Sequence, residues 1–221
     1  MSELSLFSID EFLAAIAHFV LLDLEFTCWD DSLRDGWSDP EKPPEVIEIA
    51  AAVYDVASDS ILDHFTSFVR PQKNPVLSAY CKNLLNIRQA DVDQAPPLSS
   101  VVAQVDNWRR LRGAVGTPTC SWGRNDRLFL ARDARRSNCQ DPFEGCRHVD
   151  LRSLFQEELS FSSNASCDRD DLRVTLGLLP NLRRHRALDD TLDLAQFCRR
   201  LREHRASLVL KHGGGSPGRA L

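Results

Sequence analysis

Two acidic residues in the first apolar segment are spaced for metal binding. Asp23 and Glu25 lie two residues apart in "HFVLLDLEF". Because successive side chains of a strand point to opposite faces, residues two apart share a face, and both carboxylates would point the same way. Burying two acids beside leucines is costly unless a positive charge meets them. The pair therefore predicts either a salt bridge or a divalent metal ion, and this segment alone leaves both open.

Three further acids stand at the starts of predicted helices. Asp126 in "CSWGRNDRLFL" follows a predicted strand, and Asp189 and Asp190 in "HRALDD" open the last helix. Each has an ordinary structural alternative, because an acid at a helix N-terminus caps the helix or interacts favourably with its dipole. Together with the strand pair they are hard oxygen donors on separate elements, beside a lone histidine, His185. Carboxylates of this kind suit Mg²⁺ or Mn²⁺, which also bind substrate phosphate oxygens.

The elements that would position these residues alternate between strands and helices. Strands are predicted for "HFVLLDLEF", "VIEIAAAVYDV", "SILDHFTSFVRP", "GAVGTPTCSW" and the start of "CRHVDLRSLF", the second and third forming a hairpin. Helices are predicted for "LSSVVAQVDNWRRL", "RNDRLFLARDARRS", the end of "CRHVDLRSLF" and a long segment from about residue 187. Three strands followed by two that alternate with helices predict an α/β fold with one mixed five-stranded sheet.

Length and composition favour one soluble domain. The chain has 221 residues, of which 43% are hydrophobic and 27% charged, as in ordinary globular proteins. We expect an N-terminal extension at 1–16, the domain at 17–207 and a flexible tail at 208–221. A cloning remnant is the alternative interpretation of the tail. Charged residues interrupt the longest apolar segment, so we expect no membrane span and no signal peptide. Seven scattered cysteines, an odd number, favour reduced thiols and a cytoplasmic location.

The charge distribution is uneven although the net charge is −5. Residues 1–108 carry 6 basic and 18 acidic residues, whereas residues 109–221 carry 21 basic and 14 acidic ones. The basic residues of the second half are arginines except for one lysine, and they occur in clusters. Such clusters are either solvated helix faces or contacts for a polyanion, whose phosphates the arginine fork fits.

The motifs and their order resemble a known nuclease superfamily. "DLEFT", "NDRLFL" and "HRALDD" are similar to the three exonuclease motifs of the DEDDh superfamily. The text from "EVIEIAAAVYDV" to "QAPPLSSV", and "SWGRND", resembles the Eri/KapD-like branch, and the resemblance covers roughly residues 17–203. It implies a ribonuclease H-like fold and metal-dependent hydrolysis of phosphodiester bonds from the 3′ end, with RNA preferred over DNA and nucleoside 5′-monophosphates released.

The resemblance also implies a role for each motif residue. Two Mg²⁺ or Mn²⁺ ions would be held by Asp23, Glu25, Asp126 and Asp190, with the first of these bridging them. His185 would be the general base, since an imidazole titrates near the working pH. Two ions of this kind clamp the scissile phosphate, activate the water and neutralise the leaving oxygen.

The choice between the two adjacent aspartates depends on the path of the chain before them. On a regular helix, His185 and Asp189 would lie about 40° apart and His185 and Asp190 about 140°, which favours Asp189. The arginine-rich residues 183–186, after Pro180, look more like a loop than a helical turn. The five-residue step from His to Asp in the superfamily selects Asp190, and Asp189 is then a helix cap or an outer acid.

Substrate contacts are predicted from the same resemblance. Phe26 and Thr27 follow the motif-one glutamate and would line the pocket for the terminal nucleotide. Trp122 either stacks on the terminal base or belongs to the core. The acidic loop at 30–41 would repel duplexes and long polyanions, so we expect single-stranded 3′ ends of RNA or DNA as partners. The alternatives are a DNA exonuclease or phosphodiesterase with the same site, and an inert module that binds nucleic acid or protein.

One further group of soft ligands needs weighing as a zinc site. It consists of Cys139, Cys146, His148 and Cys167. The spacing matches no usual zinc pattern, so buried or incidental cysteines are the expected interpretation.

Overall fold

A five-stranded mixed sheet forms the centre of the fold. The computed structural model describes residues 16–159, 168–179 and 184–213, with side chains up to residue 203. The strands are β1 (His18–Phe26), β2 (Val46–Asp55), β3 (Ser60–Phe68), β4 (Thr119–Ser121) and β5 (His148–Asp150). They lie in the order β3-β2-β1-β4-β5; β1, β2 and β3 are antiparallel neighbours, whereas β4 runs parallel to both β1 and β5. The predicted α/β class and ribonuclease H-like mixed sheet are confirmed.

Seven helices within the described ranges flank this sheet. They are α1 (Ala79–Leu85), α2 (Gln89–Asp93), α3 (Leu98–Leu111), α4 (Asn125–Arg136), α5 (Leu151–Glu158), α6 (Arg169–Thr175) and α7 (Ala187–Gly213). No helix in the described part of the chain is long and apolar enough to cross a membrane. The predicted extension lies outside the described residues except for Ile16, as does the tail beyond Gly213. Because α7 continues to Gly213, it passes the domain end predicted at residue 207.

The two faces of β1 enter two different hydrophobic cores. Phe19 and Leu21 pack with residues of β2, α5, α6 and α7, including Phe155 and Phe197. Val20, Leu22 and Leu24 pack on the other side, with residues of α3 and α4. The period of two therefore continues to the end of the strand, where the next two side chains on the α7 face are acidic.

The fourth strand is much shorter than the predicted strand "GAVGTPTCSW". Gly113 and Gly116 have φ values of +63° and +76°, which belong to turns and which glycine adopts without strain. Pro118 has no N–H to donate, although its carbonyl accepts the N–H of Val20. The strand therefore begins at Thr119 and ends at Ser121, and the predicted strand was wrong at its N-terminal side.

Candidate metal centre

Three carboxylates meet at the carboxyl end of β1. Asp23 and Glu25 of β1 and Asp190 in the first turn of α7 each place one oxygen within 4.8 Å of the others. Asp23 and Asp190 are almost fully buried, at 6% and 7% residue exposure, and Glu25 is partly buried. We call these residues the acidic trio. They line a cavity of ≈ 390 Å³ together with Asp126 and His185, so the structure brings all five predicted catalytic residues to one place.

Asp126 reaches this cavity from the beginning of α4. Its Oδ1 accepts the N–H of Leu24 at 3.2 Å, which fixes the start of the helix against β1. The turn before α4 depends on Gly123, whose φ is +90° and whose N–H donates to Asp150 at the end of β5. Asp126 is buried, and burial raises its pKa to about 6. Asp126 therefore links the helix that follows β4 to the end of the parallel strand β1, beside the acidic trio.

Burial makes the acidic trio unfavourable without a cation. Desolvation raises the pKa of Asp23 well above its usual range, and the neighbouring charges of Asp126 and Asp190 raise it further. The pKa of Glu25 is raised in the same way, first by burial and then by the charge of Asp23. Desolvation also raises the pKa of Asp190. A positive charge among these oxygens would reverse this effect and keep the carboxylates ionised.

Arg169, the first residue of α6, places such a charge there. Its Nη2 donates to Asp23 Oδ1 at 2.8 Å, and its Nη1 lies 3.3 Å from Asp190 Oδ1. Its guanidinium carbon lies 5.7 Å from the centre of the Trp122 ring. The guanidinium acts as a stand-in cation among buried hard oxygen donors, and the residues present therefore fit divalent ions such as Mg²⁺ or Mn²⁺.

Sequence reasoning did not find Arg169. It lies outside the three motifs, in an arginine-rich half of the chain, and contacts a residue 146 positions away. No local pattern marks a contact of that kind.

His185 stands beside the acidic trio in a left-handed backbone conformation. Its φ is +63°, and its backbone N–H donates to Asp190 Oδ2 at 3.1 Å. Burial lowers the pKa of its imidazole, although the charge of Asp190 acts in the opposite direction. The ring is therefore largely neutral at neutral pH, as a proton acceptor must be. Asp189 is partly exposed and does not belong to the cavity lining.

A buried ion pair holds the segment that carries His185. Glu48 of β2 is buried and accepts from Arg186 Nη2 and Nε at 3.0 and 3.1 Å. The backbone N–H of Ala187, the first residue of α7, also points to Glu48, at 3.4 Å. The bidentate pair ties the start of α7 to the central sheet. The sequence indicates this ion pair only through Glu48 itself, an acid within the apolar strand "VIEIAAAVYDV" that needs a partner when it is buried.

The predicted substrate residues occupy different places. Trp122 lines the cavity and also packs near Phe155 and Phe197, with ring centres 6.2 and 6.0 Å away, so both interpretations of this residue agree with its position. Phe26 and Thr27 are not brought into the cavity lining: the Phe26 ring meets Phe129 edge-on at 5.1 Å. The hydroxyl of the buried Thr27 donates to the Pro43 carbonyl at 3.1 Å. Further lining residues that sequence reasoning missed are Leu33, Asn125, Arg152, Asp168 and Arg184.

The soft ligands do not form a second metal site in the part of the chain that is described. Cys139 and Cys146 line a separate cavity, whereas the His148 ring nitrogens meet the hydroxyls of Thr119 and Ser121. Cys167 lies outside the described residues. Among the described residues, only the acidic trio brings three possible metal ligands close enough together to share an ion.

Comparison with known proteins agrees with this geometry. The exonuclease (RNase T) family model matches residues 20–197. "ERI1 exoribonuclease 2" of Danio rerio is 38% identical over 91 residues, which are 41% of this chain and 15% of that protein. "3′-5′ exonuclease Snipper" of Drosophila melanogaster is 24% identical over 204 residues, covering 85% of this chain and 70% of the relative.

A solved structure has the same fold. It is the nuclease domain of 3′hExo, a DEDDh family member, bound to rAMP; its TM-score is 0.75 at 24% identity, covering 85% of this chain and 92% of that one. The predicted resemblance to the Eri/KapD-like branch of the DEDDh superfamily is confirmed. Because the family model spans most of the chain, this protein belongs to the exonuclease (RNase T) family.

Proposed function

We propose that this protein is a metal-dependent 3′-5′ exonuclease that removes nucleoside 5′-monophosphates from the 3′ end of single-stranded RNA or of short RNA ends. The observation that carries the proposal is the acidic trio at the wall of one cavity, with Asp126 and His185 beside it. The arrangement combines a binding site for hard cations with a neutral proton acceptor, the two requirements of assisted phosphodiester hydrolysis.

In this proposal Asp23, Glu25, Asp126 and Asp190 hold two Mg²⁺ or Mn²⁺ ions. When bound, such ions supply activation of the attacking water and charge neutralisation at the leaving oxygen. His185 takes the proton of the water, and its lowered pKa keeps its imidazole available at neutral pH. A proton transfer of this type contributes roughly 10²- to 10⁴-fold to the rate.

Trp122 and the arginines around the cavity bind the substrate. The indole forms part of the wall and can stack on a base of any sequence. Arg152 and Arg184 line the same cavity and offer positive charge to the phosphates next to the scissile one. A preference for RNA is supported by relatives named exoribonucleases and by a neighbour bound to rAMP.

A cytoplasmic location stays a prediction from the cysteine pattern, with which the free thiols of the described cysteines agree.

Digestion of labelled single-stranded oligonucleotides tests the proposal. RNA and DNA of the same sequence, labelled at the 5′ end, are incubated with Mg²⁺, Mn²⁺ or EDTA, using the wild type and Asp23→Ala. We expect stepwise shortening of RNA with either metal and none in EDTA or with the variant. RNA blocked at its 3′ end serves as the control for direction.

Three outcomes would change the conclusion. Shortening that persists in EDTA or in Asp23→Ala would refute a metal-dependent reaction at this site. Faster cleavage of DNA would assign the same site to a DNA exonuclease. Binding of either polymer without cleavage under any condition would favour an inert binding module.

A further inference from the structure

We infer that Arg169 is an internal counter-ion, which holds the metal ligands of the metal-free protein together and which divalent ions displace when they bind. The inference rests on the proposed function for the identity of the ions. It adds to that function a side chain of the protein that competes with the metal ions for their ligands.

The guanidinium contacts two of the three carboxylates that a metal ion would need. Arg169 contacts Oδ1 of Asp23 at 2.8 Å and Oδ1 of Asp190 at 3.3 Å, and these two residues belong to the acidic trio. A Mg²⁺ ion needs its ligand oxygens at about 2.1 Å in a nearly octahedral arrangement. Hydrogen-bonding N–H groups and a metal ion both use the lone pairs of carboxylate oxygens. The guanidinium and an incoming ion therefore compete for these two carboxylates.

The displacement needs only a side-chain movement, because α6 itself is anchored. Arg173, one turn further along α6, is buried and pairs with Asp193 of α7, and it also donates to the carbonyl of Leu179. Leu172 is fully buried in the core shared by α5, α6 and α7. The backbone of the helix therefore stays in place while the long side chain of Arg169 rotates.

The Trp122 ring can keep the guanidinium near the cavity after it leaves the carboxylates. The guanidinium carbon already lies over this ring, 5.7 Å from its centre, and an aromatic face attracts a guanidinium. The Arg169 side chain is 15% exposed and lines the same cavity as Trp122. Rotation toward the cavity would free both carboxylates and bring the guanidinium to the wall where phosphates of a substrate are expected.

Competition of this kind has two linked consequences. Removing the guanidinium should strengthen metal binding, since the ion no longer has to break the two ion pairs. It should also destabilise the metal-free protein, since three buried carboxylates then repel one another without compensation. Metal ions should therefore stabilise such a variant more than they stabilise the wild type.

The experiment measures Mn²⁺ binding to the full chain without nucleic acid. Wild type, Arg169→Gln and Arg110→Gln are titrated calorimetrically at pH 8, and thermal unfolding is followed in EDTA and in Mn²⁺. Arg110 is the control because it is an exposed arginine that also pairs with an aspartate, Asp106, but does not line the cavity of the acidic trio. We expect Arg169→Gln to bind Mn²⁺ about five- to tenfold more tightly, with a lower Tm in EDTA and a larger Tm gain in Mn²⁺, and Arg110→Gln to bind Mn²⁺ like the wild type.

Equal or weaker Mn²⁺ binding by Arg169→Gln would overturn the inference while leaving the metal site intact. Absence of Mn²⁺ binding in every variant would refute the metal site itself, and the displacement with it. If Arg169→Gln does not fold in EDTA, Arg169→Lys replaces it, since lysine keeps the charge but loses the two-pronged contact. Its Mn²⁺ affinity should then exceed that of the wild type, and an unchanged affinity would count against the displacement.

Discussion

Replacing each of the two adjacent aspartates by asparagine gives the sharpest test of the site. Asp190→Asn removes one negative charge of the acidic trio while keeping the size of the side chain, whereas Asp189→Asn makes the same change at a partly exposed position outside the cavity lining. Both variants make the same chemical change, so a difference between their activities reports only the position of the aspartate. We expect Asp190→Asn to nearly abolish metal-dependent cleavage and Asp189→Asn only to weaken it.

The magnitude follows from the distances. Opposite unit charges about 4 Å apart at an effective dielectric constant of about 20 interact with about 4 kcal/mol, which corresponds to about 10³-fold in rate if it is lost in the transition state. The trio oxygens lie within 4.8 Å of one another. A cation held among them would therefore lie within about 4 Å of the Asp190 carboxylate. A solvent-screened carboxylate outside the cluster contributes less than about 1 kcal/mol, or at most about fivefold.

Single-turnover cleavage of labelled RNA in saturating Mg²⁺, with both variants at the same pH, measures these losses. Circular dichroism of each variant confirms that it is folded. The reverse ranking, with Asp189→Asn the inactive variant, would mean that the position of the metal ligand in the last helix is assigned one residue too far along. Equal small losses would mean that neither aspartate contacts an essential ion.

Three further predictions concern stability and substrate binding. Asp126 has a folded pKa of about 6, above its unfolded value, so the folded protein binds its proton more tightly. In EDTA the free energy of unfolding should therefore fall by about 2 kcal/mol between pH 4 and pH 7 relative to Asp126→Asn, and urea unfolding that shows no such difference would contradict this. Glu48→Gln should cost about 2 kcal/mol in urea unfolding and lower kcat, because Arg186 loses its charged partner at the start of α7 and its side chain is itself 35% exposed, and a change no larger than that of the exposed control Asp106→Asn would refute this role. Trp122→Ala should raise KM for RNA about tenfold and Trp122→Phe much less, and equal KM values in steady-state assays would assign this residue to the core alone.

The fold could be predicted largely from local patterns. The alternation of Phe19 to Glu25 defined the faces of β1, and the acidic residues at its end landed on the face covered by α7 as the period of two requires. The start of β4 could not be predicted in this way, because "GAVGTPTCSW" is apolar enough for a strand and only the positive φ values of Gly113 and Gly116 exclude one.

Residues of the candidate site that lie in short motifs could be identified from the sequence, whereas a residue that acts only through distant contacts could not. Asp23, Glu25, Asp126 and Asp190 were found because short motifs carry them. Arg169 was not found, because its contacts with two of these acids depend on how α6 packs at the end of the sheet. A buried cluster of acids predicts that some cation must be present, but the sequence does not state which arginine provides it.

The conformation of His185 explains why regular helical spacing favours Asp189 although Asp190 is the aspartate that lies with Asp23 and Glu25. The helical argument assumes that residues 185–190 form one regular turn, whereas His185 has a φ of +63° and α7 begins only at Ala187. The backbone N–H of His185 donates to Asp190 Oδ2, five residues on, rather than to a helical carbonyl. Asp190 thus contacts the segment of the proposed base with one oxygen and Arg169 with the other. Because the same carboxylate holds both Arg169 and the backbone of His185, we expect metal binding and the placement of His185 to be coupled through Asp190.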